Sequence, residues 1–304
     1  MMLKELFYSG QFSKIISKID SNVETFDEFW ILIESFLAVG NLSKVNELIE
    51  KADSSILDPF QRANLYLIKA KTFLELGEIK NSLESILEGK KLFNYDENIF
   101  LEFVFDVLLS KIFFWLGELD KAEGLIDELQ EELDKKDFEY KDKFQADLDF
   151  IRGNISYEDA DYQQARINYE KSLKTRKKYD NKKEIADVLH NLALLLFEEH
   201  KFKDSLKLNH EALTLRKELG NPGMIGISLN NIANIHHDNR ARSLSNRLHQ
   251  EALEYVKQGK NQLDFALVTH NLGTYQRKGE IDINKVKIFM NMRAKEHILL
   301  SKLC

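Results

Sequence analysis

The stretch Ala160-Asp161-Tyr162-Gln163-Gln164-Ala165, followed at helical spacing by Tyr169 and Leu173, decides the fold. The same frame returns as His200-Lys201-Phe202-Lys203-Asp204-Ser205 with Asn209 and Leu213. It returns again as Arg240-Ala241-Arg242-Ser243-Leu244-Ser245 with His249 and Leu253, and a fourth time as Glu280-Ile281-Asp282-Ile283-Asn284-Lys285 with Phe289. Toward the N-terminus the same turn position falls at Gly117, Gly77, Gly40 and Gly10, so eight turns follow one another along the chain. A repeat with a period of about 40 residues is one supersecondary unit that cannot bury its apolar face alone and must stack on its neighbours.

The neighbours of each turn say what the unit is. An apolar run at helical spacing ends just before it, and a hydrophobe or aromatic follows two residues later: Phe12, Leu42, Ile79, Leu119, Tyr162 and Phe202. Five residues after the turn stand Ile15, Val45, Ser82, Ala122, Ala165, Ser205 and Ser245, mostly small. Small side chains there let two helices approach closely, and the aromatic plugs the end of the hairpin. Asp58-Pro59-Phe60-Gln61 has an N-cap, a first-turn proline and a Gln three residues beyond the cap. Gly220-Asn221-Pro222 ends one helix and starts the next. The chain has only these two prolines, as an all-helical chain requires.

This pattern resembles the tetratricopeptide repeat. The long period, with Asn191-Leu192-Ala193, Asn231-Ile232-Ala233 and Asn271-Leu272-Gly273 in the first helix of successive pairs, is similar to that of the repeats of kinesin light chains. The resemblance implies an all-α, right-handed superhelical solenoid of about seven to eight antiparallel helix pairs, forming a single unit over 1–304. Repeats in 1–116 are divergent, those in 117–283 match well, and 284–304 forms a terminal helix or cap. Arg240, Glu280 and Lys285 depart from the family pattern.

Composition restricts the function. With 43 basic and 50 acidic side chains and 43% apolar residues, the 304-residue chain is core-forming rather than disordered. A single cysteine, Cys304, leaves no disulfide framework and no Cys-rich metal site, and no stretch suits a membrane span or a secretory leader, so a cytoplasmic location is expected. The net charge of −7 conceals an uneven distribution: residues 1–150 carry 17 Lys/Arg against 31 Asp/Glu, and 151–304 carry 26 against 19. No phosphate-binding glycine loop, nucleophile elbow or HExxH is present, so no catalytic residue, cofactor or metal is assigned. The run Lys174, Arg176, Lys177, Lys178, Lys182 and Lys183 reads as a solvent-facing helix end; a nucleic-acid reading lacks aromatic interleaving or a recognition helix.

In such a stack the first helices of the pairs line the concave side, and residues recurring once per period form ladders along it. The candidate peptide-binding residues are Asn154, His190, Asn191, Asn230, Asn231, Asn234, His237, His270 and Asn271, continued by Asp147, Tyr157, Glu198, Asp238, Thr274 and Lys278. An amide carries donors and an acceptor, so a regular Asn ladder can pair with the main chain of an extended peptide whatever its sequence. The family resemblance places the ligand groove at Asn191, Asn231 and Asn271. In the first half Ile31, Ile68 and Leu108 hold the ladder places, which predicts a greasier groove; Phe100, Phe103, Phe105, Phe113, Phe114 and Trp115 read mainly as core. The histidines suggest a pH-sensitive rung rather than a metal site.

The expected function is a non-catalytic scaffold that binds an extended segment of a protein or peptide partner in this groove, without membrane contact. The alternative is a peptide-sensing regulator that changes superhelical shape and acts through a partner. Such regulators resemble bacterial repeat proteins that carry an effector domain before the repeats, for which the turn at Gly10 leaves no room. The apolar end from Ile298 to Cys304 reads as a cap or an interface, and the oligomeric state is not legible.

Overall fold

A computed structural model describes residues 3–19, 23–53, 57–92, 99–135 and 141–276. Among them are fifteen α-helices and no strand. They are α1 (Leu3–Tyr8), α2 (Phe12–Ile19), α3 (Phe26–Ala38), α4 (Leu42–Asp53), α5 (Pro59–Leu76), α6 (Ile79–Lys90), α7 (Ile99–Leu116), α8 (Leu119–Lys135), α9 (Lys141–Glu158), α10 (Tyr162–Tyr179), α11 (Lys182–Glu198), α12 (Phe202–Leu219), α13 (Pro222–Asp238), α14 (Arg242–Gly259) and α15 (Gln262–Gln276). Odd and even helices form seven antiparallel pairs, and α15 opens an eighth. The turn expected at Glu280 and the segment 284–304 lie outside the described residues, as does Lys278.

All seven described turns within pairs take left-handed backbone, with φ between 57° at His200 and 77° at Gly77. Glycine holds the first four, while Ala160, His200 and Arg240 adopt the same conformation with a side chain. That conformation costs a non-glycine residue roughly 1–2 kcal/mol. The hydrophobe two residues after the turn is the first residue of the even helix in α2, α4, α6, α8, α10 and α12. Five residues after the turn, Ile15, Val45, Ser82, Ala122, Ala165, Ser205 and Ser245 are all fully buried. Burying a hydroxyl is costly without a partner, and of the three serines only Ser245 lacks one among the described residues. Ser82 Oγ donates to the Ala70 carbonyl and Ser205 Oγ to the Ala193 carbonyl, each at 2.7 Å.

Caps fix the helix starts. Asp58 and Gln61 form the expected reciprocal box, with Gln61 N–H donating to Asp58 Oδ1 at 2.8 Å and Asp58 N–H to Gln61 Oε1 at 3.2 Å. Gly220 ends α12 in left-handed backbone, Asn221 caps α13 and Pro222 is its first residue. Asp180 and Lys260 end α10 and α14 in the same left-handed way without glycine.

Odd helices pack on odd neighbours as well as on their own even partners, as in α1 with α3, α7 with α9 and α13 with α15. The odd helices therefore form the inner side of the curve, and the even helices the outer. The curve is tight enough to return on itself. Asn221, at the start of pair seven, donates through Nδ2 to the carbonyl of Ala38 at the end of α3 (3.2 Å). Asn261, at the start of pair eight, donates to the carbonyl of Glu75 in α5 (2.9 Å). Gly10 lies against Asn181 at the start of pair six. Five pairs thus complete one superhelical turn.

The aromatic cluster of α7 divides as its helix demands. Phe103 and Phe105 are buried, Phe113 and Phe114 partly so, and Phe100 and Trp115 are exposed at opposite ends of the helix. No helix among the described residues is long and apolar enough to cross a membrane.

Candidate functional site

The Asn ladder lies on the seams between successive inner helices. Asn191 Nδ2 of α11 donates to Asn154 Oδ1 of α9 (2.7 Å), and the same oxygen accepts from the Tyr169 hydroxyl (2.9 Å). One seam further on, Asn231 Nδ2 of α13 lies 3.2 Å from His190 Nδ1 of α11. Next, Asn271 Nδ2 of α15 donates to Asn230 Oδ1 at 3.0 Å. Each of these seams therefore carries one amide clamp between inner helices, placed there by the repeat period.

Exposure separates the members. Asn230 is 1% exposed and Asn231 9%, so both are held between helices. Asn154, His190, Asn191, Asn234, His237 and Asn271 are half-buried, and His270 is exposed. Asn234 has a buried side-chain oxygen with no hydrogen-bond partner. The Tyr157 hydroxyl reaches Glu198 Oε1 across α9 and α11 at 3.4 Å, continuing the polar strip. His237 Nδ1 lies 3.1 Å from Asp238 Oδ1 on its own helix. Burial, with Arg216 close by, pushes His190 down to about 3, so this rung stays neutral at physiological pH and is not the pH-sensitive group expected of it.

Five successive inner helices, α3 to α11, each carry a charge: Glu34, Lys71, Lys111, Asp147 and Asp187. Lys71 pairs with Glu34 at 2.5 Å and Lys111 with Asp147 at 3.4 Å, each across two inner helices. Asp147 also receives Arg176 of α10 at 3.0 Å, and one period later Asp187 receives Arg216 of α12 at 3.1 Å. Burial pushes the Asp187 carboxyl up, but Lys183 and Arg216 outweigh it and hold it below the usual carboxylate range. The same balance, with Lys111 and Arg176, holds Asp147 down. Both arginines are 4% exposed and reach onward to the next inner helix, Arg176 to the Glu184 carbonyl and Arg216 to the Met224 carbonyl and Ser228 Oγ.

Two expectations change as a result. Ile31, Ile68 and Leu108 are buried core residues, so they do not line a greasy groove. The residues three places on, Glu34, Lys71 and Lys111, make the first half of the face charged. The basic run divides: Lys174, Lys177 and Lys178 are exposed as expected of a solvent-facing helix end, but others are engaged within the fold. Arg176 is buried against Asp147, the exposed Lys178 pairs with Asp142 at 2.7 Å, Lys182 with Glu218 at 2.6 Å, and Lys183 lies 3.7 Å from Glu75 and 3.6 Å from Asp187. The inner face thus offers partly exposed amides between paired charges, a surface suited to main-chain dipoles and poorly suited to a long apolar ligand.

Comparison with known proteins agrees with this geometry. Residues 185–220 match a family described as tetratricopeptide repeat. A Rap protein complexed with Competence and Sporulation Factor superposes with a TM-score of 0.71 at 9% identity, over 98% of this chain and 86% of that one. NprR in complex with its cognate peptide NprX gives 0.68 at 15% identity, over 94% and 83%. A chain of the APC/C hetero-tetramer Cut9-Hcn1 gives 0.59 at 16% identity over 90% of this chain, which spans 48% of that chain's length. No curated protein matches the chain in sequence. At these identities the likeness is one of fold: a tetratricopeptide-like helical solenoid.

Proposed function

We propose that this tetratricopeptide-like solenoid is a non-catalytic binding protein that takes an extended peptide segment of a partner along its inner face. The half-exposed Asn154, Asn191 and Asn271, which also clamp neighbouring inner helices, would supply hydrogen bonds to the segment's main chain, while the buried Asn230 and Asn231 only hold the helices in register. The observation that carries this reading is the amide ladder itself, regular in phase at Asn191, Asn231 and Asn271 and half-exposed at alternate members. Two fold neighbours named for their bound peptides support it.

A second reading, peptide sensing through a change of superhelical shape, is favoured by the contacts between one superhelical turn and the next. A ligand that prefers one pitch shifts the population of pitches by its differential affinity.

The test is selection of a random linear-peptide display library on the native chain and on the Asn191→Ala/Asn271→Ala variant. Each lost hydrogen bond removes about 0.5–1.5 kcal/mol, so the double variant should bind enriched peptides roughly 5- to 150-fold more weakly at unchanged helicity. Absence of enriched peptides on the native chain, or equal binding by the variant, would falsify the assignment.

A further inference from the structure

Three asparagines, Asn181, Asn221 and Asn261, recur once per period at the starts of α11, α13 and α15. Each meets the glycine turn of a pair five places earlier. A Cβ on Gly10 would lie 3.2 Å from Asn181 Oδ1, one on Gly40 3.0 Å from Asn221 Cγ, and one on Gly77 2.8 Å from Asn261 Oδ1. Backbone conformation alone does not call for glycine here, because Ala160, His200 and Arg240 hold the same left-handed φ with side chains. The approach of the asparagine does.

Two of these amides work in both directions. Asn221 Oδ1 accepts from Met224 N–H at 3.2 Å and so caps α13, while its Nδ2 donates to the Ala38 carbonyl at the C-terminal end of α3. Asn261 Oδ1 accepts from the N–H groups of Leu263 and Asp264 at 2.9 and 3.0 Å, and its Nδ2 donates to the Glu75 carbonyl of α5. Helix ends leave donors unsatisfied at the start and acceptors at the finish, and a carboxamide carries one group for each. The helices meet head to tail, so their dipoles are aligned favourably. Lys183, reaching Glu75, and Lys260, donating to Ser43 Oγ at 3.1 Å, add polar contacts. Leu263, set beside Gly77, brings an apolar side chain to the junction.

We propose that this junction is a reversible latch: two-way asparagine caps that hold one superhelical turn closed on the next and release it without unfolding any repeat. The physical basis is its composition. The seam is mainly hydrogen bonds, each worth little in net free energy because water replaces the partner on opening. Its apolar part is small, Leu219 against the core of pairs one to three and Leu263 against the next, so it separates more readily than the continuous cores within pairs. On the peptide-binding reading, the latch is where the shape of the inner face is regulated, and that link rests on the reading.

Asn221→Asp/Asn261→Asp separates the two halves of the device. Aspartate caps a helix as well as asparagine does, so α13 and α15 keep their starts, but it has no donor for the Ala38 and Glu75 carbonyls. Small-angle scattering of the full chain without any ligand should show a larger maximum dimension than the native chain, with an unchanged far-ultraviolet helical signal. Gly40→Ala provides a second route, since its Cβ would stand 3.0 Å from the Asn221 carboxamide and force it away; the left-handed φ of 73° adds strain at the α3–α4 turn, so the helical signal is read beside the scattering. Scattering curves that superpose on the native one for both variants overturn the latch, and so does expansion that comes only with loss of helix, which would make the junction part of the folding core. No peptide enters this experiment, so its failure and that of the inner-face assignment are read separately.

Discussion

Replacing Arg216 by Met tests whether the buried arginines rivet neighbouring repeats. The guanidinium is 4% exposed and lies 3.1 Å from Asp187, 2.8 Å from Ser228 Oγ and 3.3 Å from the Met224 carbonyl, so it ties α12 to both α11 and α13. Removing one partner of a buried ion pair costs about 3–5 kcal/mol, because the other charge is left uncompensated. Asp187 is 23% exposed and has Lys183 at 3.6 Å, so water and a second cation take up part of that penalty. The lower end, about 3 kcal/mol, is the expected loss. Arg176→Met should cost the same within about 1 kcal/mol, since Asp147 is 28% exposed and has Lys111 as its second cation. The assay is urea unfolding followed by circular dichroism, with Asp187→Asn and the double variant completing a thermodynamic cycle. Removing both partners should cost less than the sum of the single losses. A loss below about 1 kcal/mol for Arg216→Met, or strict additivity in the cycle, would refute the rivet.

Three further outcomes follow from the same geometry. A Cβ on Gly153 would stand 2.5 Å from Tyr169 Cε1, so Gly153→Ala should displace that ring from Asn154 and destabilise by about 1–3 kcal/mol, read as a lower melting temperature. Burial and the neighbouring Glu75 push Asp264 up to about 7. Its neutral form fits the closed junction, where Glu75 of α5 and Arg216 of α12 face it and Lys183 and Asp187 of α11 stand beside Glu75. The sign follows from the raised value: the contribution is complete below the ordinary carboxylate range, falls as pH rises, and is gone once pH passes about 7. The native chain should therefore melt lower at pH 8 than at pH 5, and Asp264→Asn should flatten that difference; a variant with the native slope would exclude Asp264 as its source. His190, held neutral by burial and Arg216, should show no ring-proton titration by NMR between pH 5 and 8, whereas a midpoint near 6.5 would place it in water.

The local signals in the sequence carried most of the fold. The turn residues, the hydrophobes that open the even helices and the small residues five places on each obey a rule spanning a few positions, and the structure keeps every described one. The Asn ladder was legible in phase but not in use: Asn230 and Asn231 occupy the inner-helix seam that the period assigns, yet their exposure depends on the spacing between helices, which no residue pattern states. The charges were missed because they keep no single repeat position: Glu34, Lys71 and Lys111 stand six residues before their turns, whereas Asp147 and Asp187 stand thirteen before theirs. The recurrence from Arg176 to Arg216 and from Asp147 to Asp187, in strict phase, was nonetheless present. Asn221 was readable as a cap. Its second bond, to Ala38, depends on superhelical pitch, which sums small rotations over five pairs.

Solenoids of this kind are ordinarily one-dimensional, each unit meeting only the units before and after it. The junction between turns changes that arithmetic, because it joins residues 183 and 186 positions apart. Pairs one to three emerge from the ribosome long before their partners in pairs six to eight have been made, so their last contacts form only at a late stage of synthesis. Long-range closure of this sort is slow to form, so it follows the folding of the individual pairs. Insertion of one whole repeat between pairs three and six, harmless in a linear array, would leave Gly10, Gly40 and Gly77 facing the wrong caps.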